Sequence, residues 1–166
     1  MKKIIIITLL LLSVSAFGEE FTFRGLRWGA TLEEVIAEMG QPDKQFLEEF
    51  DRIFYPDINI AGYKANLYLK SGGKRHGAVF RLQEASYLIS STNSEIEEIF
   101  LDIISKLSIL YGLPNIDDTG PFWVVDRTLI KLNYRFDNNF PNSSWIMPAR
   151  IIIRYESPEI NGYGEL

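Results

Sequence analysis

Apolar residues recur along this chain at two spacings, and the change from one to the other marks out its elements. Leu32, Val35, Ile36 and Met39 fall at helical intervals, so one face of this segment is expected to be buried. They begin in Thr31-Leu32-Glu33-Glu34, a capping box in which Thr31 accepts from the Glu34 amide while the Glu34 side chain reaches back. Gly40 and Pro42 stop the helix, the first by tolerating the cap conformation and the second by barring continuation. Strand spacing then takes over. Ile53-Phe54-Tyr55 reads as a strand ended by Pro56. Residues 64–70 alternate, with Ala65, Leu67 and Leu69 on one face and Lys64, Asn66, Tyr68 and Lys70 on the other. The Gly-rich, basic stretch 71–77 reads as a hairpin loop, and 78–88 as its partner strand.

A second cycle follows. Ser94 and Glu97 are spaced for another capping box, and Ile96, Ile99, Phe100, Ile103, Leu107 and Leu110 make a helical stripe ended by Gly112 and Pro114. Residues 122–125, 129–136 and 149–155 read as strands, 137–144 as a polar loop. The two Gly-x-Pro stops lie 72 residues apart. The expected class is therefore α+β: two helix-plus-antiparallel-meander halves, 19–90 and 91–158, sharing one core, with a loose C-terminal tail at 159–166. Duplication and coincidence both remain open, because Gly-x-Pro also ends unrelated helices.

The N-terminus has a different pattern. Lys2 and Lys3 precede an apolar run at 4–12 and small residues at 13–18, the layout of a secretory signal peptide (1–18) cut after Ala16 or Gly18. The run is shorter than the ~20 residues a membrane-spanning helix needs. The expected location is the periplasm of a bacterium or its medium, with no transmembrane segment in the mature chain. Removing Lys2 and Lys3 takes the formal net charge from −5 to −7, a poor balance for a nucleic-acid binder. At 46% hydrophobic and 23% charged residues the chain is globular in composition. It has no cysteine, which excludes disulfides, thiol catalysis, cysteine metal sites and a lipid anchor on cysteine.

Phe21-Thr22-Phe23, then Trp28-Gly29-Ala30-Thr31-Leu32-Glu33-Glu34-Val35 and Met39-Gly40-Gln41-Pro42, resembles the opening of the SmpA/OmlA (BamE-like) family and of each repeat in the beta-lactamase inhibitory proteins. The resemblance is confined mainly to residues 21–42. It implies an extracytoplasmic unit pairing a small helical layer with an antiparallel sheet, and action by binding other proteins. The second half departs from the motif, with a longer helix ending in Tyr111-Gly112-Leu113-Pro114.

Candidate chemistry is sparse. His76 is the only histidine and lies in the Gly-rich loop with no acidic neighbour, so it is expected to be an exposed loop residue. Glu33-Glu34, Glu48-Glu49 and Glu97-Glu98 are adjacent pairs that do not face each other on a helix. Asp117-Asp118 beside Asn115 lacks calcium-loop spacing and reads as a solvated turn. No catalytic residue, cofactor or metal ligand is assigned. More informative is the sheet face away from the helices. If 129–136 and 149–155 pair antiparallel, Ile130, Leu132, Tyr134, Ile151, Ile153 and Tyr155 point inward, while Lys131, Arg135, Arg150 and Arg154 share the outer face. Lys64 and Tyr68, with Lys70, occupy the analogous face of the first half. Arg and Tyr are common interface anchors, so the expected function is non-catalytic binding of another protein, one with an acidic surface. The plain alternative for these residues is that they solvate an open sheet face. The alternative function is carriage of a small apolar or lipid-like ligand between helix and sheet.

Overall fold

The computed structural model describes residues 22–46, 51–72, 79–92, 94–135 and 149–158. The signal segment, Glu48-Glu49, the loop carrying His76, the loop at 137–144 and the tail at 159–166 lie outside the described residues.

Thr31 and Glu34 form the expected capping box: Thr31 Oγ1 accepts from Glu34 N at 3.2 Å, and Glu34 Oε2 accepts from Thr31 N at 2.7 Å. This starts α1 (Leu32–Met39), which ends at Gly40 with φ 83°. The strands that follow are β1 (Lys44–Phe46), β2 (Arg52–Ile60), β3 (Tyr63–Ser71) and β4 (Leu82–Ser91). The second helix, α2 (Ile96–Tyr111), leads into β5 (Asn115–Asp117), β6 (Gly120–Val125), β7 (Thr128–Arg135) and β8 (Ala149–Glu156). All eight strands make one antiparallel sheet in the order β1-β2-β3-β4-β8-β7-β6-β5.

This corrects the α+β expectation. About half of the described residues are in strands, so the protein is predominantly β, with two helices against one sheet among the described residues. The strands of both halves join edge to edge, β4 pairing with β8 from Glu84↔Glu156 to Ser91↔Ala149. The composition of β8 explains the join. Its run Ile151-Ile152-Ile153 is apolar on both faces, and a strand of that kind belongs where it has a neighbour on each side. On the covered face Leu67, Leu69, Ala85, Ile130, Leu132 and Ile153 are fully buried. Val35 of α1 and Ile96, Ile103 and Leu107 of α2 belong to the same core.

Four local expectations also change. Strand β2 runs through Pro56, because the register shifts between Tyr55 and Ile58 and β1 pairs only with Arg52, Ile53 and Phe54. Proline is thus on an unpaired edge beside a bulge, where its missing N–H costs no ladder bond. Ser94 does not cap α2; the cap position is Glu95, whose side chain makes no cap bond and instead accepts from Ser91 and Thr92 hydroxyls. Leu110, expected in the buried stripe, is 69% exposed. Tyr134 is half exposed, its ring edge-on to Phe100 at 4.8 Å.

Two matching contacts tie each helix end to the sheet. Tyr55 Oη of β2 donates to the carbonyl of Gly40 at 2.9 Å, and Trp123 Nε1 of β6 donates to the carbonyl of Gly112 at 2.8 Å. The β2–β3 turn (Ala61, Gly62) and the β6–β7 turn (Asp126, Arg127) both hold their two central residues at positive φ, as tight hairpins with the sheet's twist require.

Candidate partner surface on the open sheet face

Strand alternation sends every second side chain away from the helices, and the register lines these up in rows. Phe54, Tyr68, Ser86, Arg154, Lys131 and Phe122 form one row across six strands. Beside it run Arg52, Lys70, Glu84, Glu156, Leu129 and Val124. The row on the other side holds Asn66, Leu88, Ile152 and Asn133. Beyond that, Arg150 lies directly opposite Arg135.

Among the proposed surface residues, Tyr68, Lys131 and Arg154 therefore share one row. Arg135 and Arg150 sit further along the same strands, towards the end of the sheet where Lys64 is exposed opposite Asn59. All six are on the open face, in two groups rather than one patch.

The face is not uniformly cationic. Glu84 accepts from Lys70 Nζ at 3.4 Å and from Ser86 Oγ at 3.1 Å, and lies 3.6 Å from Arg154 Nε. Glu156 lies 3.7 Å from both Arg154 Nη1 and Lys131 Nζ. Glu84 and Glu156 are directly opposed across β4 and β8, a like-charge pairing that would be destabilising without the cations between them. The result is a chain Lys70–Glu84–Arg154–Glu156–Lys131 spanning β3, β4, β8 and β7. It holds long side chains in fixed places, with the two carboxylates largely buried and the cations about one third exposed. Phe54 and Tyr68 pack alongside with ring centroids 5.1 Å apart and planes tilted by 40°.

Sequence reasoning missed Glu84, Glu156, Arg52, Phe54 and Phe122. The alternation signal was available, since Glu84 is in step with Ser86 and Leu88, and Glu156 with Ile152 and Arg154. The β4·β8 pairing that brings the two glutamates together was not.

A second feature lies on the helical side. A groove of about 560 Å³ is lined by Ile60, Leu107, Ile109, Leu110, Tyr111 and Tyr155. Ile109 and Leu110 are largely exposed, as are Leu113 and Ile116 nearby in the chain. At its rim Lys106 donates to the Ala61 carbonyl at 2.8 Å and pairs with Asp102 at 2.6 Å, while Tyr63 Oη donates to Asp102 at 2.7 Å. Lys106 and Tyr63 hold the Asp102 carboxyl below its ordinary range, and the same bond raises the Tyr63 phenol. Burial pushes the Tyr155 phenol well up and raises that of Tyr87, where Arg24 Nη1 donates to Tyr87 Oη at 2.9 Å and partly offsets the effect.

The acidic turn reads simply. Asp117 Oδ1 accepts from Thr119 N at 2.7 Å and Thr119 Oγ1 at 2.6 Å, which lowers its pKa. Among the described residues no group of three or more His, Asp or Glu side chains is placed to hold a metal ion, and no helix is long and apolar enough to cross a membrane. In comparisons with known proteins, no family model, no curated protein and no solved structure matches the chain.

Proposed function

We propose that this protein is an exported, non-catalytic binding module that engages another protein through the open sheet face. The observation that carries the proposal is the row Phe54–Tyr68–Ser86–Arg154–Lys131–Phe122, in which aromatic and basic side chains cross six strands and the two basic ones are held by ion pairs. Such a surface is already ordered before a partner arrives, which lowers the entropy lost on binding. Aromatic and arginine side chains are those that most often anchor interfaces. The resemblance of residues 21–42 to envelope assembly factors and inhibitory proteins, and the signal-like N-terminus, support the same reading.

The test is capture of partners from bacterial envelope extracts by the mature protein and by a Tyr68→Ala/Arg135→Glu variant. Capture should be lost in the variant while its thermal unfolding stays close to that of the parent. Equal capture by both would sink the reading.

The groove against α2 favours a second function, carriage of a small apolar or lipid-like ligand. Its volume of about 560 Å³ lies within the ~300–1,000 Å³ usual for small-molecule sites. Mass spectrometry of organic extracts of the purified protein checks this: a bound lipid lost in Leu110→Asp supports it, and an empty extract from both proteins removes it.

A further inference from the structure

Two hollows lie on the helical side of the sheet. One, of about 580 Å³, is lined by Arg24, Glu38, Met39 and Ile58; the other is the groove of about 560 Å³ against α2. Ile58 lines the first and Ile60 the second. These two residues follow each other on the covered face of β2, so the hollows adjoin along that strand. We infer that together they hold a long-chain fatty acid, its carboxylate on the Arg24 guanidinium and its hydrocarbon chain along Ile58, Ile60 and Leu110. The inference rests on the carrier reading and names the ligand class and its direction in the groove.

The placing of Arg24 is the first reason. It sits with Gly25 in a two-residue turn closed by Phe23 and Leu26, which bond each other's backbone at 2.8 and 2.9 Å. Both turn residues have positive φ, a conformation that asparagine or glycine adopts more cheaply than arginine. The turn carries Arg24 over the sheet, where Nη1 donates to Tyr87 Oη at 2.9 Å. That bond fixes the guanidinium, and among the described residues no carboxylate pairs with it. The residue is exposed and lines the first hollow, so its remaining N–H groups are within reach of a ligand there. An arginine held on one side and open on the other suits the planar, two-oxygen head of a carboxylate. Tyr87 also links Arg24 to the second hollow. Its ring centroid lies 6.2 Å from that of Tyr155, which lines that hollow beside Tyr111.

The other charged groups set the direction of the ligand and the charge on its head. On the second hollow, Lys106 is engaged by Asp102 at 2.6 Å, by the Ala61 carbonyl at 2.8 Å and by the Tyr63 ring at 5.1 Å. Of the cations lining the two hollows, Arg24 is thus the one left for a ligand. Glu38 lines the same hollow as Arg24, its carboxylate packed against Gly25. One guanidinium beside one carboxylate accepts a monoanion and opposes a doubly charged head such as a phosphate monoester. The apolar walls set the length. Ile109 and Leu110, on the second hollow, are 81% and 69% exposed. A short acid held at Arg24 would leave them bare, whereas a long chain removes their surface from water.

The test titrates the full mature chain with decanoate, octanoate, 1-decanol and decyl phosphate, each below the concentration at which it forms micelles. Two-dimensional NMR follows the Arg24 Nε–H signal and the methyl groups of Met39, Ile58, Ile60 and Leu110. Decanoate should move all of these in a saturable way, about tenfold more tightly than 1-decanol. It should bind about fourfold more tightly than octanoate, since each methylene half-covered in an open groove adds about twofold. Arg24→Gln should erase the first difference, so that decanoate and 1-decanol bind alike. Arg24→Lys, which keeps the charge and loses the fork, should recover part of it. The comparison of decanoate with 1-decanol on the parent decides the matter even if Arg24→Gln disturbs the turn. Equal binding of those two to the parent would overturn the inference and leave the carrier reading standing. Tighter binding of decyl phosphate than of decanoate would overturn the monoanionic head, and octanoate as tight as decanoate would overturn the long chain. Shifts centred on Lys131 and Arg154 would put the acid on the open face and overturn the site. No saturable shift with any probe would remove the inference and the carrier reading together.

Discussion

The two faces of one sheet are built on opposite terms. On the covered face, side chains such as Leu67, Ile130 and Ile153 are fully buried and polar groups are few. On the open face, the neighbouring positions Tyr68, Lys131 and Ile152 are half exposed, and charge pairs hold the long side chains in place. Successive residues of one strand thus serve different ends. Burial of apolar surface at about 25 cal/mol per Å² makes the covered face the source of stability. On the open face the outlying charges such as Lys64 and Arg135 are exposed, contribute little to stability and are free to vary for recognition.

The sharpest way to break this comparison is to truncate two consecutive isoleucines of β8. Ile153→Ala should cost about 2–5 kcal/mol, through lost burial and a cavity. Ile152→Ala, half-buried on the open face, should cost about 1 kcal/mol. Equal losses in urea unfolding would mean that both faces carry the core.

A smaller effect is expected where the covered face meets a helix end. Trp123→Phe removes the donor to the Gly112 carbonyl and should cost about 1–3 kcal/mol, mainly by leaving that acceptor unsatisfied. Loss of protection in the last turn of α2, followed by hydrogen exchange, distinguishes this from a uniform loosening.

Next comes the cap of α1. Thr31→Ala should cost about 1 kcal/mol at neutral pH. The cap has a pH signature. The Thr31 backbone amide, with help from Arg27, lowers the Glu34 pKa from its usual 4.5. A carboxyl lowered on folding adds stability that is fully present above its unfolded pKa and lost as pH falls through the folded value. Because Thr31→Ala keeps that backbone donor, the carboxyl is tested by Glu34→Gln: the difference between parent and Glu34→Gln should shrink on acidification below about 4.5. A gap that stays constant down that range would show that Glu34 takes no part.

The least effect belongs to the open face. Arg135→Gln should change stability by no more than about 0.5 kcal/mol. A larger change in thermal unfolding would mean that the charge is structural and would weaken the case for a recognition surface.

Local chemistry was enough to reveal several parts of this protein. The Thr31–Glu34 box and the glycine stops at Gly40 and Gly112 depend on neighbours within a few residues, so their spacing announces them. The alternation of Lys131, Leu132 and Asn133, or of Arg150, Ile151 and Ile152, assigns faces because successive side chains in a strand point opposite ways. The bulge at Pro56, the loss of Ser94 as a cap and the exposure of Leu110 were not legible in this way. Each depends on what lies across from it.

The decisive step was the meeting of β4 and β8. Leu82–Ser91 and Ala149–Glu156 are far apart in the chain, and neither states which strand will be its neighbour. Their pairing turned two expected meanders into one eight-stranded sheet. It also set Glu84 opposite Glu156 and placed Arg154 between them. Alternation depends only on the sequence of one strand and tells which way a side chain points. Register depends on the apolar surface that two distant strands bury together, and only the folded chain decides which charges then meet.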